Sequence, residues 1–376
     1  MEVISRKIKA TVAEKIKPNK AVLIFGPRRV GKTVLLKQLI SDFSEKTMLL
    51  NGEDYDTLAL MENRSAANYR HLLENIDLLA IDEAQNIPGI GTKLKLIVDE
   101  IPGIRVIATG SSSFDLLNKT GEPLVGRGSQ FLLLPLSQQE IAATETALQT
   151  RQNIEIRLLY GSYPEVVTME GFEHKADYLK EMVHSYLLKD ILSIDGVKNS
   201  GKMRDLLRLI ALQMGNEVSY EELGRQLSMS KNTVEKYLDL LSKVFVVYRL
   251  GAYSRHLRKE VTKAGKWYFH DNGIRNALIN HFNPLSVRQD TVALWENYLI
   301  GERIKANSNE LQNKEFYFWR TYDGQEIDLI EEQAGILNAY EFKWGHKTPS
   351  IPAVFNETYQ VADYRVINRE NYFSFV

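Results

Sequence analysis

Short apolar runs alternate with helical patterns through the first third of the chain. Five of these runs are rich in Val, Ile and Leu without strict polar alternation, at 22–25, 48–51, 78–81, 106–108 and 131–134. Strands that are buried on both faces of a parallel sheet show this pattern. Between them, stretches such as VLLKQLISDF and TKLKLIVDEI repeat apolar residues at helical spacing. The alternation predicts a doubly wound α/β domain with a parallel sheet, ending near Glu140.

The pattern changes beyond this first domain. Residues 138–197 are mainly helical, with a turn-like GSYPE within them. Within 200–250, two short amphipathic helices precede an apolar strand, which predicts a winged helix-turn-helix. After residue 266 the helix ALWENYLIGERIKAN and strands such as EFYFWRT, EIDLIEE and LNAYEFKW predict a separate α/β domain. We therefore expect four domains, at 1–140, 141–199, 200–265 and 266–376.

Composition narrows the class of protein. The net charge is −1, from 47 basic and 48 acidic residues, so bulk charge predicts neither a nucleic-acid nor a membrane partner. The chain has no cysteine, which excludes disulfides, thiolate zinc sites and cysteine nucleophiles. Its amino-terminal residues are charged throughout, and its apolar runs are too short to span a bilayer. We expect a soluble, cytoplasmic protein without a membrane partner.

The segment GPRRVGKT follows one predicted strand and precedes a predicted helix. Glycines at its ends let backbone N–H groups turn inward, and the helix amino terminus favours negative charge. Lys32 is expected to reach the β- and γ-phosphates of a nucleotide, and the Thr33 hydroxyl to hold Mg²⁺. Arg28 and Arg29 could meet the γ-phosphate, a lid or only solvent. The residues expected to bind the nucleotide here are Gly26, Pro27, Arg28, Arg29, Val30, Gly31, Lys32, Thr33 and Val34.

A pair of carboxylates ends the later apolar run in LLAIDEAQ. Asp82 is expected to hold Mg²⁺ through water, and Glu83 to orient and deprotonate the attacking water, so hydrolysis is favoured over binding alone. The next run, VIATGSSS, ends in hydroxyls that could contact the γ-phosphate or the water, or could simply begin a loop. These hydroxyls belong to Thr109, Ser111, Ser112 and Ser113.

Two further sequence features concern hydrolysis of the nucleotide and the identity of its base. Arg127, in PLVGRGSQF, could act as an arginine finger on the nucleotide of a neighbouring subunit in a homo-oligomer, or could be a surface arginine. The segment NKTG at 118–121 lacks the Asp of a guanine-selective N-K-x-D motif. ATP is therefore the expected nucleotide.

The motifs GPRRVGKT, AIDEAQ, ATGSSS and LVGR, in this order, resemble those of bacterial and archaeal AAA+ ATPases grouped with the archaeal ATPase clade. GSYPEVV, KWYFHDNGIRNAL and YEFKW are similar to the carboxy-terminal half of the same family. The resemblance implies an AAA+ P-loop core over 1–140 and a helical lid over 141–199. It also implies a winged helix over 200–265 and a tail related to PD-(D/E)XK nucleases over 266–376.

Such a nuclease needs carboxylates around Mg²⁺ and a lysine nearby. Alternation in YEFKW places Glu341 and Lys343 on one face of a strand. A hairpin turn at 334–335 is expected to bring Asp328 alongside, and Glu296 lies on the preceding helix. The candidate metal ligands are therefore Glu296, Asp328 and Glu341, and the alternative is a nuclease-like fold retained for binding or scaffolding.

The charges on the predicted winged helix do not decide between internal packing and DNA binding. Its second helix, SKNTVEKYLDLLSK, mixes basic and acidic residues, so it could pack internally or contact DNA. The most basic stretch, 254–266, is a better candidate for a phosphate backbone. The leading hypothesis is an ATPase that moves a winged helix and a nuclease-like domain on or near nucleic acid. The alternative is an ATP-dependent switch or protein-interaction module with a catalytically silent tail.

Overall fold

A computed structural model describes residues 3–43, 45–111, 124–187, 199–254 and 265–376. The chain forms two compact units. The first contains the chain up to Leu136 with 243–245 and 308–310, and the second contains 137–242, 246–307 and 311–376. Ser112, Ser113, the NKTG segment and most of the basic stretch lie outside the described residues.

A five-stranded parallel sheet forms the centre of the first unit, in the order β2-β3-β4-β1-β5. Its strands confirm the five predicted apolar runs to within a few residues. They are β1 Lys20–Phe25, β2 Thr47–Asn51, β3 Leu78–Asp82, β4 Arg105–Gly110 and β5 Gly128–Leu132. Because the strands are parallel, the carboxyl ends of β1, β3 and β4 meet at one edge, where ligands bind in open α/β sheets.

Helices of the first unit include two that follow the carboxyl edge of the sheet directly. Helix α2 follows β1 after a short loop, and a 3₁₀ helix, Ala84–Asn86, follows β3. The helices are α1 Ile8–Lys15, α2 Lys32–Ser41, α3 Tyr55–Glu62, α4 Ala66–Leu72 and α5 Ile90–Glu100. Fully buried side chains of β1, β3 and β4 pack against α5, including Leu23, Ile81, Val106 and Ile97. This apolar core fixes the positions of the loops at the carboxyl edge.

The second unit begins with helices. They are α6 Gln138–Ala142, α7 Ala147–Gln152, α8 Ile154–Tyr160, α9 Pro164–Thr168, α10 Phe172–Met182, α11 Ser200–Leu212, α12 Tyr220–Leu227, α13 Lys231–Lys243, α14 Asn272–Leu278, α15 Thr291–Glu310 and α16 Ala353–Thr358. The turn before α9 is held by Asp271, whose Oδ2 accepts a 2.7 Å hydrogen bond from the Ser162 N–H. A Cβ at Gly161 would lie 1.9 Å from Asp271 Oδ1, so this close approach requires glycine.

A mixed six-stranded sheet completes the second unit, in the order β11-β10-β9-β8-β6-β7. The strands are β6 Val247–Ala252, β7 Lys266–Phe269, β8 Glu315–Arg320, β9 Glu326–Gln333, β10 Ile336–Phe342 and β11 Val361–Ile367. Strands β9 and β10 pair antiparallel, whereas β10 and β11 are parallel. The predicted hairpin turn is confirmed, with positive φ at Ala334 (52°) and Gly335 (83°), as a type I′ turn requires.

The sheet also bears on the expected domain divisions. The first unit ends at Leu136, close to the expected boundary at 140. The strands β6 and β7, which the predicted winged helix includes in part, belong to the same sheet as β8–β11. The four-domain division stays a prediction. Among the described residues, no helix has the length and apolar character that crossing a membrane requires.

Candidate functional site

The loop between β1 and α2 has the backbone that a phosphate cradle requires. Gly26 and Gly31 have φ of 156° and 95°, and Arg29 has φ of 66°. A Cβ at Gly26 would lie 2.0 Å from the Leu133 carbonyl oxygen, so a side chain there would push the loop away from β5. Gly31 is the N-cap of α2 and carries no capping side chain, which leaves the helix amino end open to an anion.

Lys32 closes this loop from inside. Its side chain is buried, and its ammonium donates 3.0 Å hydrogen bonds to the carbonyl oxygens of Gly26 and Pro27. A cation therefore lies within the curve of the loop, where a bound phosphate would take the place of these carbonyls as its partner.

Arg6 supports the same loop from behind and was not predicted from the sequence. Its guanidinium is buried and donates to the Val30 carbonyl at 2.7 Å and to the Leu134 carbonyl at 2.6 Å. It thereby joins the phosphate loop to the segment after β5. A lone arginine before α1 has no spacing motif that would reveal this contact.

Three side chains connect the loop to the ends of β3 and β4. The Thr33 hydroxyl donates a 2.7 Å hydrogen bond to Asp82 Oδ2. The fully buried Thr109 hydroxyl donates to Asp82 Oδ1 and accepts a 3.1 Å hydrogen bond from the Glu83 N–H. Thr109 therefore orients both carboxylate residues. The hydroxyl and carboxylate oxygens of Thr33 and Asp82 are donors that Mg²⁺ prefers, so these residues fit the ion.

Glu83 is held in an unusual conformation. Its φ of 49° lies in the left-handed region, which turns the chain sharply after β3. The Gln85 amide donates a 2.5 Å hydrogen bond to Glu83 Oε2, and Gln85 Oε1 accepts from the Ser111 N–H at 3.3 Å. The Glu83 carboxylate is thus fixed by a side chain two residues away, and Ser111 contributes through its backbone.

Arg127 lies at the other edge of the sheet. It precedes β5, whose first residue, Gly128, pairs with Ala21 near the start of β1, and the phosphate loop follows the end of β1. The length of β1 therefore separates Arg127 from the phosphate loop of its own chain. Its guanidinium makes a 2.6 Å ion pair with Asp99 on α5. The role of Arg127 on a neighbouring subunit stays a prediction.

The predicted carboxy-terminal residues lie near one another on α15, β9 and β10. Asp328 Oδ2 accepts a 2.7 Å hydrogen bond from the Phe342 N–H, and the Lys343 ammonium donates to Glu341 Oε1 at 2.5 Å. Burial, together with the nearby Glu296 carboxyl, raises the pKa of Asp328 to about 7. Burial and the carboxyl of Asp328 also raise the pKa of Glu341. The side chains thus form one interacting group.

Lys266 neutralises this carboxylate group. Its side chain is 4% exposed, and its ammonium contacts Glu296 Oε1 at 3.4 Å and the carboxylate of Glu326. The Tyr268 hydroxyl donates to Glu296 Oε1 at 2.5 Å. Burial alone would lower the pKa of Lys266, but the carboxylates of Glu296 and Glu326 outweigh burial and raise it. Neither Lys266 nor Tyr268 was predicted, because only the fold brings β7 beside α15.

The metal role expected of Glu296, Asp328 and Glu341 stays a prediction. Among the residues that the structure describes, no three His, Cys, Asp or Glu side chains are grouped so as to hold a metal ion. The ammonium of Lys266 is the counter-ion of Glu296 in this arrangement.

The helix α13 carries little free positive charge at its start. Lys231 makes a 2.6 Å ion pair with Glu221 on α12, and both side chains are more than half exposed. Such a pair stabilises little, but it reduces the positive charge offered to a phosphate backbone.

Comparisons with known proteins divide the chain in three. Residues 18–142 match the family model of an AAA domain. Residues 151–285 and 292–374 match two domains of unknown function, DUF8612 and DUF4143 respectively.

Two uncharacterized relatives match most of this chain. An uncharacterized protein of Mycobacterium tuberculosis is 28% identical over 335 residues, which cover 88% of this chain and 71% of that protein. An uncharacterized protein of Methanocaldococcus jannaschii is 25% identical over 371 residues, covering 94% and 81% respectively. The solved Walker-type ATPase of Pyrococcus abyssi aligns with a TM-score of 0.54 at 16% identity, covering 74% of this chain and 96% of that one. The chain therefore carries an AAA domain followed by two domains of unknown function, and it is homologous to uncharacterized archaeal and bacterial proteins.

Proposed function

We propose that the first unit hydrolyses ATP with Mg²⁺. The observation that carries this proposal is the 2.7 Å hydrogen bond between the Thr33 hydroxyl and Asp82 Oδ2. It places two Mg²⁺-type ligands together beside the phosphate loop, with Glu83 next in the chain. When bound, Mg²⁺ would neutralise negative charge on the phosphates.

Each group at the phosphate loop has a distinct role in this proposal. The backbone of 26–34 surrounds the phosphates, and Lys32 exchanges its carbonyl partners for phosphate oxygens. Thr33 and Asp82 would hold the ion. Glu83 accepts the proton of the attacking water, and the hydrogen bond from Gln85 keeps its carboxylate in place.

We propose for Arg127 a role between subunits only. It lies at the amino-terminal edge of its own sheet, so its guanidinium would reach a nucleotide only on a neighbouring copy, after leaving Asp99. The size of the ATP-bound protein in solution tests this role, because a strictly monomeric active enzyme would remove it.

The elements of the second unit suggest which process ATP hydrolysis drives. Helices α11–α13 and the antiparallel pair β6/β7 have the element order of a winged helix. The order α15, β8, β9, β10, α16, β11 is consistent with a nuclease-like tail over 266–376. We propose that nucleotide state is coupled to these elements on or near nucleic acid. Because Lys266 pairs with Glu296, we also propose that the tail is an ion-paired, catalytically silent module.

One experiment tests the ATPase and its context together. ATP binding and turnover are measured for the full chain with and without added DNA, beside Lys32→Ala and the exposed control Lys37→Ala. The proposal expects Lys32→Ala to lose ATP binding and Lys37→Ala to retain it. Equal turnover in Lys32→Ala would overturn the assignment of the site. Turnover that is indifferent to DNA would overturn the nucleic-acid context and favour an ATP-dependent switch.

A further inference from the structure

A groove without a role in the ATPase site lies on the first unit. It has a volume of about 690 Å³ and is open to solvent between helix α3 and the segment 86–93. Its lining includes Tyr55, Leu58, Glu62, Arg64, Asn86 and Lys93. We call it the α3 groove.

Lys93 is the unusual residue of the α3 groove. It is only 6% exposed, yet within the described part of the chain its ammonium has neither a hydrogen-bond acceptor nor an ion pair. The stem of the side chain is buried, whereas the ammonium reaches the solvent of the groove, where an anion could pair with it. Burial and the nearby Arg64 guanidinium lower the pKa of Lys93, and Glu62 offsets only part of this effect.

Further positive groups surround Lys93. Arg64 is exposed on the same groove and close enough to Lys93 to repel it. Gly89, which also lines the groove, is the N-cap of the 11-residue helix α5, so the positive end of that helix lies at the groove. Two cations and a helix amino end oppose one carboxylate, that of Glu62, so the groove favours an anion.

An aromatic ring stands beside these charges. Tyr55, at the first position of α3, is 86% exposed although it is large and largely apolar. An exposed aromatic ring beside two cations is suited to bind one nucleotide: its base can stack on the ring, and its phosphate can bind the Lys and Arg side chains. We propose that the α3 groove binds the phosphate of a nucleotide unit at Lys93 and Arg64, with the base against Tyr55. The same chemistry is offered by a single nucleic-acid strand and by a free nucleotide.

The test uses the full chain carrying Lys32→Ala, so that the phosphate loop does not contribute. Fluorescence anisotropy measures a labelled 12-residue oligothymidylate with a 5′-hydroxyl at low salt, with thymidine monophosphate and inorganic phosphate as competitors. The site predicts that Lys93→Met and Arg64→Gln each weaken the oligonucleotide about tenfold or more, and Tyr55→Ala about fivefold or more. The control Lys95→Gln, on the same helix but outside the groove, should leave affinity unchanged.

The competitors identify the source of the phosphate. Displacement of the oligonucleotide only by excess mononucleotide indicates a strand, whereas displacement at comparable concentration indicates a free nucleotide. Because Lys93→Met keeps the buried stem and removes an ammonium that has no acceptor in the described part of the chain, its melting temperature should be equal to or above that of the parent, which shows that the variant is folded. The proposed site would be overturned if Lys93→Met and Arg64→Gln bound the oligonucleotide as tightly as Lys95→Gln does. It would also be overturned if the protein bound none of the probes.

Discussion

The Thr33 hydroxyl donates a 2.7 Å hydrogen bond to Asp82 Oδ2, which joins the phosphate loop to the end of β3. Thr109 holds the other oxygen of the same carboxylate from β4. Three segments that are far apart in sequence therefore meet at one carboxylate. A substitution in any of these segments should first alter the Mg²⁺ dependence of ATP turnover.

Replacing Thr109 by valine keeps its shape but removes both hydrogen bonds. Asp82 then loses one anchor, and the Glu83 N–H loses its acceptor. We expect the Mg²⁺ concentration for half-maximal ATP hydrolysis to rise about tenfold, as the loss of a hydrogen bond to a charged group implies. Thr109→Ser, which retains the hydroxyl, is the matched control. An unchanged Mg²⁺ dependence in Thr109→Val would contradict the orienting role.

Gly52 permits the end of β2 to approach the end of β3. Its N–H donates to the Asp82 carbonyl at 2.8 Å, and a Cβ would lie 2.3 Å from the Glu83 carbonyl oxygen. Gly52→Ala must therefore shift the backbone that carries Asp82 and Glu83. We expect turnover to fall at least about tenfold, with a lower melting temperature.

The control for this variant is Gly301→Ala, within α15, where a Cβ meets no atom within 4 Å. Alanine there should stabilise the helix by up to about 1 kcal/mol. If Gly52→Ala had the same turnover and melting temperature as Gly301→Ala, the close approach of Gly52 to the Glu83 carbonyl would not matter for function.

Lys266 should matter for the stability of the second unit. Lys266→Met leaves the carboxylates of Glu296 and Glu326 without their cation, a loss that costs about 3 kcal/mol for buried pairs. Thermal and urea unfolding measure the effect, with the exposed Lys347→Met as control. Equal stability of the two variants would show that the ion pairs do not hold the carboxylate group together.

The silent tail is tested separately by cleavage of plasmid DNA with Mg²⁺ or Mn²⁺. We expect no cleavage by the unaltered chain. Cutting that is lost in both Asp328→Ala and Lys343→Ala would show that metal displaces Lys266 and that the tail is a nuclease.

Asp271 gives stability a pH dependence. Burial raises its pKa to about 6, above the ordinary value of 3.8. A raised carboxyl pKa means that the folded state binds the proton more tightly, so this contribution is full below pH 4 and lost as the pH rises through 6. Relative to Asp271→Asn, which does not titrate, the unaltered chain should be more stable at pH 4 than at pH 8 by up to about 3 kcal/mol. A difference that is constant with pH would contradict the shift.

The elements that could be predicted from the sequence are those that depend on local order. The phosphate loop, Asp82-Glu83 and the turn at 334–335 are encoded within short segments, and their strands and hairpin lie where they were expected. Arg6 and Lys266 could not be predicted, because their partners are set by tertiary packing between segments far apart in sequence. The position of Arg127 at the far edge follows from the direction of β5, which its motif does not encode.

We assign to Glu83 the activation of water for ATP hydrolysis. The most direct test of this assignment compares ATP affinity and single-turnover hydrolysis of Glu83→Gln with the unaltered chain, and with Glu53→Gln as an exposed control. We expect Glu83→Gln to bind ATP within about twofold of the unaltered chain and to hydrolyse it about a hundredfold or more slowly, as the loss of a general base implies. Unchanged hydrolysis in Glu83→Gln would contradict this assignment.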